Sequence, residues 1–361
     1  MGINKKIAIG LCIIIGIGIT NSVKADVTLV VPQKVGGGTS VWAAIVAKEL
    51  EKSLGERVVL EHYPSARDIG GFNKFHNEYK DRHDAIMVSH GGNGVSFLTE
   101  NVDYNYDEYD SVGLMNLNII VAKRKEFDPD KGFIKFSSGS GQTPEAFAMT
   151  LLQCGWIAKL DGYVSCFNNE VKWINGMSGS ERRLAFRRGE LNATRENPAA
   201  YKKHVSKDEN AEVWFHHGIL VPPLHAGHPA KHIDDVNYEG FLLEDLFRAK
   251  WGYQAEGNFY DAYKLLKSFR DGMQKALWVH KGNPNRQRYV DALTALTQNP
   301  ESVAAIEKKV GQYEWIIGDA GNAHRDTLMS MITSPALKTL TTFNGEALGL
   351  DTVFKSNLVS E

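Results

Sequence analysis

Cysteine, excess positive charge and long apolar segments are all scarce in this chain of 361 residues. Its 41 Lys and Arg residues are balanced by 43 Asp and Glu residues, and a formal net charge of −2 argues against a nucleic-acid-binding surface. Beyond residue 25, no apolar run approaches the roughly 20 residues that a membrane-spanning helix requires. The two cysteines in that part of the chain are too few for a structural zinc site unless histidines contribute.

The remaining composition is that of a packed globular protein. Hydrophobic residues make up 43% of the chain and charged residues 23%, which argues against disorder. Aromatic residues, at 10%, supply bulky side chains for a core. At about 150 residues per domain, the length indicates roughly two domains.

The N-terminus has the pattern of a secretory signal peptide. Lys5 and Lys6 precede an uncharged apolar segment at 7–20, and Val23 and Ala25 stand at the two positions that a signal peptidase reads. We therefore predict a signal peptide at 1–25, cleaved after Ala25, and a soluble mature protein in a bacterial periplasm. The alternative is an uncleaved membrane anchor, for which the apolar segment is short.

Cys154 and Cys166 are the two cysteines of the predicted mature chain. In an oxidising compartment, two cysteines at this separation are expected to form a disulfide. A loop this short would contribute about 3 kcal/mol in the chain-entropy model. The alternative is two unpaired thiols.

The mature chain opens with the pattern of a strand, a glycine-rich loop, a helix and a second strand. Residues 27–31 form a β-branched apolar run, and 35–40 are rich in Gly, Thr and Ser. Apolar periodicity over 41–54 predicts a helix that Thr39 or Ser40 caps. This βαβ order predicts a parallel sheet.

The same order recurs further along the chain. Strand-like segments at 85–89, 134–138 and 170–174 each lead into a loop of small residues. No Gly-Ser or Pro-rich linker separates these units, so we predict an α/β protein of two lobes joined by crossover strands. The expected bounds are 26–118 and 278–361 for the first lobe and 119–277 for the second.

Three loops, at 35–40, 137–143 and 175–180, have the composition of anion sites. Free N–H groups at a helix N-terminus bind anions, and small residues let a ligand approach the backbone. Each loop taken alone could be only a turn, but together they favour a ligand cleft. Arg195, just after a predicted strand, could bind an anionic ligand in a bidentate manner or could form a surface salt bridge.

No motif for nucleotide binding or covalent catalysis accompanies these loops. The first loop lacks the spacing of a phosphate loop and of a dinucleotide fingerprint, and Ser178 lacks the closing Gly of a nucleophile elbow. We interpret a group of histidines as solvated loop residues, with a weak metal site as the alternative: His216, His217, His225, His228 and His232. The expectation is no cofactor, no metal and no enzymatic activity.

Several segments resemble the Bug-type (TctC-like) solute-binding proteins of tripartite tricarboxylate transporters. They are 31–39 (Val-Pro-Gln-Lys-Val-Gly-Gly-Gly-Thr), 64–71, 106–112, 136–141, 188–193 and 281–284. Each match is loose, but their order and spacing are specific and span nearly the whole mature chain. The chain departs from the family pattern at Ser40, at Ala44 and in the turn at 64–71, which reads Pro-Ser-Ala-Arg-Asp-Ile-Gly-Gly.

The resemblance implies a two-lobe periplasmic binding protein fold that closes on its ligand like a Venus flytrap. It implies a carboxylate ligand held largely by backbone amides, with the following ligand-binding residues: Val35, Gly36, Gly37, Gly38, Thr39, Ser40, Ser89, Ser137, Ser138, Gly139, Ser140, Gly141, Thr194 and Arg195.

The predicted function is capture of a small organic anion and its delivery to membrane transporter subunits by a monomeric periplasmic protein. One alternative is a ligand-sensing subunit of a membrane receptor. The other is a secreted enzyme, which would need a nucleophile with an adjacent base, or a metal.

Overall fold

The computed structural model describes residues 26–139, 142–221, 231–234, 238–311 and 314–359. The predicted signal peptide, Ser140, Gly141, His225 and His228 lie outside these ranges. Within them, no helix is both long and apolar enough to cross a membrane.

The strands in the described ranges are β1 (Val27–Val31), β2 (Val58–His62), β3 (Ala85–His90), β4 (Tyr109–Asn116), β5 (Ile120–Arg124), β6 (Ile134–Ser138), β7 (Val171–Asn175), β8 (Ala193–Glu196), β9 (Ala211–His216), β10 (Ile219–Val221), β11 (Lys231–Ile233), β12 (Lys275–His280) and β13 (Glu314–Ile317).

The helices there are α1 (Gly38–Leu54), α2 (Ile69–Glu78), α3 (Gly91–Thr99), α4 (Pro144–Cys154), α5 (Leu160–Glu170), α6 (Gly179–Arg187), α7 (Pro198–Ala200), α8 (Leu243–Trp251), α9 (Asn258–Asp271), α10 (Arg286–Gln298), α11 (Pro300–Val310), α12 (Asp319–Ser330) and α13 (Ser334–Leu348).

The first lobe is built around a six-stranded sheet in the order β13-β4-β12-β3-β1-β2. β1 pairs in parallel with both β2 and β3, as the βαβ pattern predicted. β12 and β13 run antiparallel to their neighbours. The predicted cap of α1 is wrong: the helix begins at Gly38 with Gly37 as its N-cap, so Thr39 and Ser40 lie in its first turn.

Both faces of the large sheet are covered, which explains why its strands read as continuous apolar runs. Val27, Leu29 and Val31 of β1 belong to the core on the α1 and α10 side, whereas Val30 belongs to the core on the other side. Each of the four is fully buried. Alternation along one strand therefore contributes to two hydrophobic cores.

The second lobe contains an antiparallel sheet, β8-β5-β9, and a parallel pair, β6-β7. The chain enters this lobe between β4 and β5, and α9 leads back to β12 in the large sheet. The predicted lobe bounds (26–118, 119–277 and 278–361) stay a prediction, but the large sheet already includes Lys275 at the start of β12. A disulfide joins Cys154 at the end of α4 to Cys166 in α5, with the Cα atoms 6.4 Å apart.

Candidate functional site

A cavity of about 220 Å³ lies between the two lobes. The first lobe contributes the turn before α2 and the face of α3. The second lobe contributes the loop before α4 and the strand β8, and the end of α9 completes the wall. The charged or polar side chains that line the cavity are Arg67, Asp68, His90, Ser96, Glu100, Gln142, Arg195, Arg270 and Gln274.

Two arginines from different elements converge on this cavity. Arg195 comes from β8 and Arg270 from the last turn of α9. Their Nη1 atoms lie 3.4 Å and 3.5 Å from the same atom, Oε1 of Glu145. Both guanidinium groups are largely buried, and together they give this wall a positive character that suits a carboxylate.

Glu145 lies in the first turn of α4, where the helix dipole favours an acidic side chain. Its side chain is completely buried. The Nε2 atom of His217 lies 3.9 Å from its Oε1 atom, and the Nδ1 atom of His217 hydrogen-bonds to the Tyr263 hydroxyl. Burial lowers the pKa of His217 to about 3, so this imidazole is neutral.

Asp271 adds a second buried carboxyl beside Arg270, with 3.1 Å between its Oδ1 atom and Arg270 Nη1. Burial raises the pKa of Asp271 to about 7, although Arg270 favours the ionised form. Lys267, one turn earlier in α9, donates a hydrogen bond to the carbonyl oxygen of His217. Burial lowers the pKa of Lys267 to about 8. This end of α9 therefore holds groups whose charges change near neutral pH.

The first-lobe wall is organised by Asp68. Its Oδ2 atom accepts hydrogen bonds from Gln33 Nε2 and from His90 Nε2, each 2.8 Å long. His90 Nδ1 accepts from the Gly92 N–H, so the proton of the neutral ring lies on Nε2. Burial tends to raise the pKa of Asp68, but the hydrogen bond from His90 leaves that pKa below its usual value.

Arg67 and Asp68 both adopt the left-handed backbone conformation, with φ of 54° and 61°. This conformation is uncommon for residues other than glycine. Arg67 Nη1 lies 2.8 Å from Glu100 Oε1, so each of the two strained residues has its side chain held by a partner in the same wall. Strain of this kind is found where a site must be positioned.

The glycine-rich loop at 35–40 contacts the cavity indirectly. Val35 is 76% exposed and Gly36 has a positive φ, and none of the six predicted residues of this loop lines the cavity. Gln33 Oε1 accepts from the Thr39 N–H, and Lys275 donates to Thr39 Oγ1. Ser40 Oγ lies 2.9 Å from His62 Nε2. The loop therefore supports Asp68 through Gln33.

The other predicted ligand residues differ in whether they line the cavity. Arg195 lines the cavity. Ser89 is fully buried, and its hydroxyl accepts from Trp278 Nε1 in the core of the first lobe. Ser137 and Thr194 are also buried, and within the described part of the chain their hydroxyls have no hydrogen-bond partner.

The structure describes only part of the remaining second loop. Ser138 is buried, and Gly139 follows it at the end of β6. Ser140 and Gly141 lie outside the described residues. Thr143, the N-cap of α4, is a further buried residue whose hydroxyl lacks a partner among the described residues. The third loop, at 175–180, is mostly exposed and supplies Ser178 as the N-cap of α6.

Most of the cavity lining was not predicted. Arg67 and Asp68 fall in the turn at 64–71, where the sequence departs from the family pattern. This departure from the family pattern is the sequence feature that could have indicated Arg67 and Asp68 as site residues. Arg270 gave no signal, because it occurs in an amphipathic helix where a polar residue is expected to face solvent.

The interpretation of the histidines as solvated loop residues is wrong for His216 and His217. His216 and His217 are completely buried at the end of β9. His216 Nε2 hydrogen-bonds to the Tyr238 carbonyl and lies 3.2 Å from Asp234 Oδ1. Among the residues that the structure describes, no three His, Cys, Asp or Glu side chains are grouped so as to hold a metal ion.

A larger depression of about 470 Å³ lies in the first lobe, between residues 101–105 and the C-terminal segment at 353–358. Lys355 lines this depression, and its ammonium group donates a hydrogen bond to the Phe97 carbonyl. Because this depression does not involve the second lobe, the interlobe cavity is the better candidate site.

The fold is similar to that of solved solute-binding proteins. A TctC solute-binding protein from Polaromonas aligns with a TM-score of 0.56 at 13% identity, over 90% of this chain and 98% of its own. The periplasmic binding protein BugD aligns with a TM-score of 0.51 at 15% identity, over 90% and 98%. An adipate-bound protein from R. palustris aligns with a TM-score of 0.52 at 11% identity, over 89% and 97%.

At these identities the similarity shows the fold alone. No family model matches the chain, and no curated protein matches its sequence. The chain has the two-lobe α/β fold of the TctC and Bug-type periplasmic binding proteins, and the predicted resemblance is confirmed at that level.

Proposed function

We propose that this protein is a periplasmic solute-binding protein that captures a small organic anion, a carboxylate, in the cavity between its lobes. It delivers this ligand to the membrane subunits of a tripartite tricarboxylate-type transporter. The signal-peptide pattern at 1–25 supports export to the periplasm. The resemblance of the sequence segments to Bug-type proteins supports the choice of transporter.

The observation that carries this proposal is the convergence of Arg195 and Arg270 on one interlobe cavity. A guanidinium group donates two parallel hydrogen bonds to a carboxylate, and such charge-assisted bonds are stronger than neutral ones. Because residues of both lobes line the cavity, a ligand bound to the two arginines would also face the first-lobe wall. The similarity in fold to solute-binding proteins, one of them solved with adipate, points the same way.

The loop at 137–141 and Thr194 remain part of the proposed site. The partnerless hydroxyls of Ser137 and Thr194 lie on β6 and β8, in the lobe that carries Arg195. Buried hydroxyl groups usually have hydrogen-bond partners, and a bound anion or the waters around it would supply the missing hydrogen bonds. The loop at 35–40 acts in this proposal as support for the first-lobe wall.

The test is a thermal-shift and calorimetric panel on the purified mature protein, using mono-, di- and tricarboxylates. A ligand that binds only the folded state raises the free energy of unfolding by about 2.7 kcal/mol at 100 times its dissociation constant. Arg195→Ala is expected to weaken binding more than tenfold. Arg188→Ala is the matched control, because Arg188 is an exposed arginine of the same lobe.

Two results would overturn the proposal. One is the absence of any carboxylate binding by folded, ligand-free protein. The other is equal affinity of Arg195→Ala and wild type for a carboxylate that binds. Export is tested separately, by sequencing the N-terminus of the protein recovered from the periplasmic fraction: residue 26 is expected at the first position.

A further inference from the structure

Glu145 contacts both arginines of the cavity wall but does not itself line the cavity. Within the described residues, neither of its carboxylate oxygens accepts a hydrogen bond, although the side chain is completely buried. A buried carboxylate without hydrogen bonds is costly unless nearby cations compensate it. Here the compensation comes from Arg195 and Arg270, the same groups that face the cavity.

The other charged groups around Glu145 add little to the charge balance between Glu145 and the two arginines. His217 is neutral, as described above. Arg182 is close enough to interact with Glu145, but its Nη2 atom donates to the Arg195 carbonyl and lies 3.8 Å from Glu196. Asp271, beside Arg270, reduces the positive charge of the wall further whenever it is ionised.

The opposite wall supplies no excess of positive charge. Arg67 forms an ion pair with Glu100. Asp68 interacts with Lys275, a partly buried lysine whose pKa is lowered by burial to about 8. His90 is also largely buried, and burial lowers its pKa. While Asp271 is protonated, two guanidinium charges less the charge of Glu145 therefore leave the cavity with a single uncompensated positive charge.

We infer that Glu145 is a specificity-determining residue that limits the ligand to one carboxylate, because it already neutralises one of the two guanidinium groups of the cavity. This inference rests on the proposed function and names the ligand class: an organic monoanion. A first carboxylate would complete the charge balance of the site. A second would lose part of its hydration in the cavity with no cation left to compensate its charge.

The experiment compares matched pairs of ligands of equal chain length: butanoate with succinate, and hexanoate with adipate. Dissociation constants are measured by calorimetry at pH 6 and low salt, where Asp271 is mostly protonated, for wild type and Glu145→Gln. Wild type is expected to bind the monocarboxylate of a pair more tightly. In Glu145→Gln, the ratio of dicarboxylate to monocarboxylate affinity is expected to rise at least tenfold, because removal of the negative charge frees a guanidinium group.

Two further variants separate the charge of Glu145 from its structural role. Glu145→Asp keeps the charge and is expected to keep the wild-type preference. Glu196→Gln removes another buried carboxylate, one that pairs with Arg182 and Arg183 and does not line the cavity, and is expected to leave the preference unchanged. If Glu145→Gln does not fold, the preference of wild type between the monocarboxylate and the dicarboxylate still tests the inference, because that measurement requires no variant.

The failure of this inference can be distinguished from the failure of the proposed function. Tighter binding of the dicarboxylate by wild type overturns the inference alone, as does an unchanged affinity ratio in folded Glu145→Gln. If neither folded wild type nor folded Glu145→Gln binds any acid of the mono-, di- and tricarboxylate panel, these four included, the proposed function is overturned and the inference with it.

Discussion

Thr99 Oγ1 donates a hydrogen bond of 2.7 Å to Oε1 of Gln142, and both side chains are buried. Thr99 ends α3 in the first lobe, whereas Gln142 precedes α4 in the second. Gln142 Nε2 also donates to Glu100 Oε1, at 3.4 Å. One amide side chain therefore joins the two lobes at the rim of the cavity.

Gln142→Ala is expected to weaken the contact between the lobes. The substitution removes both hydrogen bonds of the amide, and a hydrogen bond contributes about 1 kcal/mol to stability on average. Thr99 keeps a partner, because the Val95 carbonyl lies 2.9 Å from its Oγ1 and can accept the same hydroxyl proton. We expect a loss of about 1 kcal/mol in the free energy of unfolding, measured by urea titration, and weaker carboxylate binding.

Gln153→Ala is the control for this prediction. Gln153 Nε2 donates to the Pro129 carbonyl within the second lobe, away from the cavity. Its loss should affect stability without affecting carboxylate affinity. Equal carboxylate affinity of Gln142→Ala and wild type would show that the Thr99–Gln142 bond has no part in binding.

Gly91→Ala is expected to displace the chain segment that carries Arg270. A Cβ atom at Gly91 would lie 1.9 Å from the Arg270 carbonyl oxygen, and backbone cannot yield as a flexible side chain does. Overpacking of this kind typically costs about 1–3 kcal/mol. We therefore expect lower stability together with carboxylate affinity reduced more than tenfold, measured by urea titration and calorimetry.

Gly38→Ala is the matched substitution, because a Cβ atom there would meet no atom within 4 Å. Gly38 is exposed in the first turn of α1. This variant should keep wild-type stability within about 0.5 kcal/mol, as exposed substitutions usually do. If Gly91→Ala behaved in the same way, the tight packing of α3 against α9 would not position Arg270.

The elements of this fold were largely predictable, because hydrophobic periodicity and glycine-rich loops are local signals. The βαβ order of residues 27–62 predicted the parallel pairing of β1 and β2, which the structure confirms. Arg195 was a candidate because it follows a predicted strand and because the family resemblance implies it, and it does line the cavity.

The rest of the cavity was not predictable from local pattern. Glu145 looked like an ordinary acidic residue of a helix first turn, and Arg270 like a polar residue of an amphipathic helix. Their meeting with Arg195 depends on how α4, α9 and β8 pack together, which no spacing in the sequence encodes. Ser89 illustrates the opposite case, because its strand end was predicted but its hydroxyl is used by Trp278 in the core.

Removal of the disulfide is expected to lower stability without changing ligand affinity. Cys154 ends α4, at the opposite end of the helix from Glu145, and the two cysteines are 12 residues apart. Closure of a loop of about this size contributes about 3 kcal/mol in the chain-entropy model. The double variant Cys154→Ser, Cys166→Ser should unfold at lower urea concentration and still bind the same carboxylate equally well. Reduced affinity would mean that the disulfide also positions Glu145.

The last prediction concerns pH and Asp271. Burial raises the pKa of this carboxyl from 3.8 to about 7, against the influence of Arg270. Between about pH 4 and pH 7 the folded protein therefore holds a proton on Asp271 that the unfolded chain has lost. The free energy of unfolding should fall as pH rises through this window, by at most about 1.4 kcal/mol per pH unit, and the contribution should be constant above it.

This contribution is isolated by comparing wild type with Asp271→Asn, whose side chain does not ionise. The charged groups that act on Asp271 are Arg270, Glu145 and Lys267, and all three remain in the variant. The difference in unfolding free energy, wild type minus variant, is measured by urea titration at pH 5, 6, 7 and 8. We expect this difference to fall from pH 5 to pH 7, whereas the corresponding difference for Asp319→Asn, at a 92% exposed carboxylate, should stay constant. A difference that is constant or rises for Asp271→Asn would mean that Asp271 is ionised throughout, held by Arg270. In that case the cavity wall would lose the positive charge that a carboxylate ligand needs.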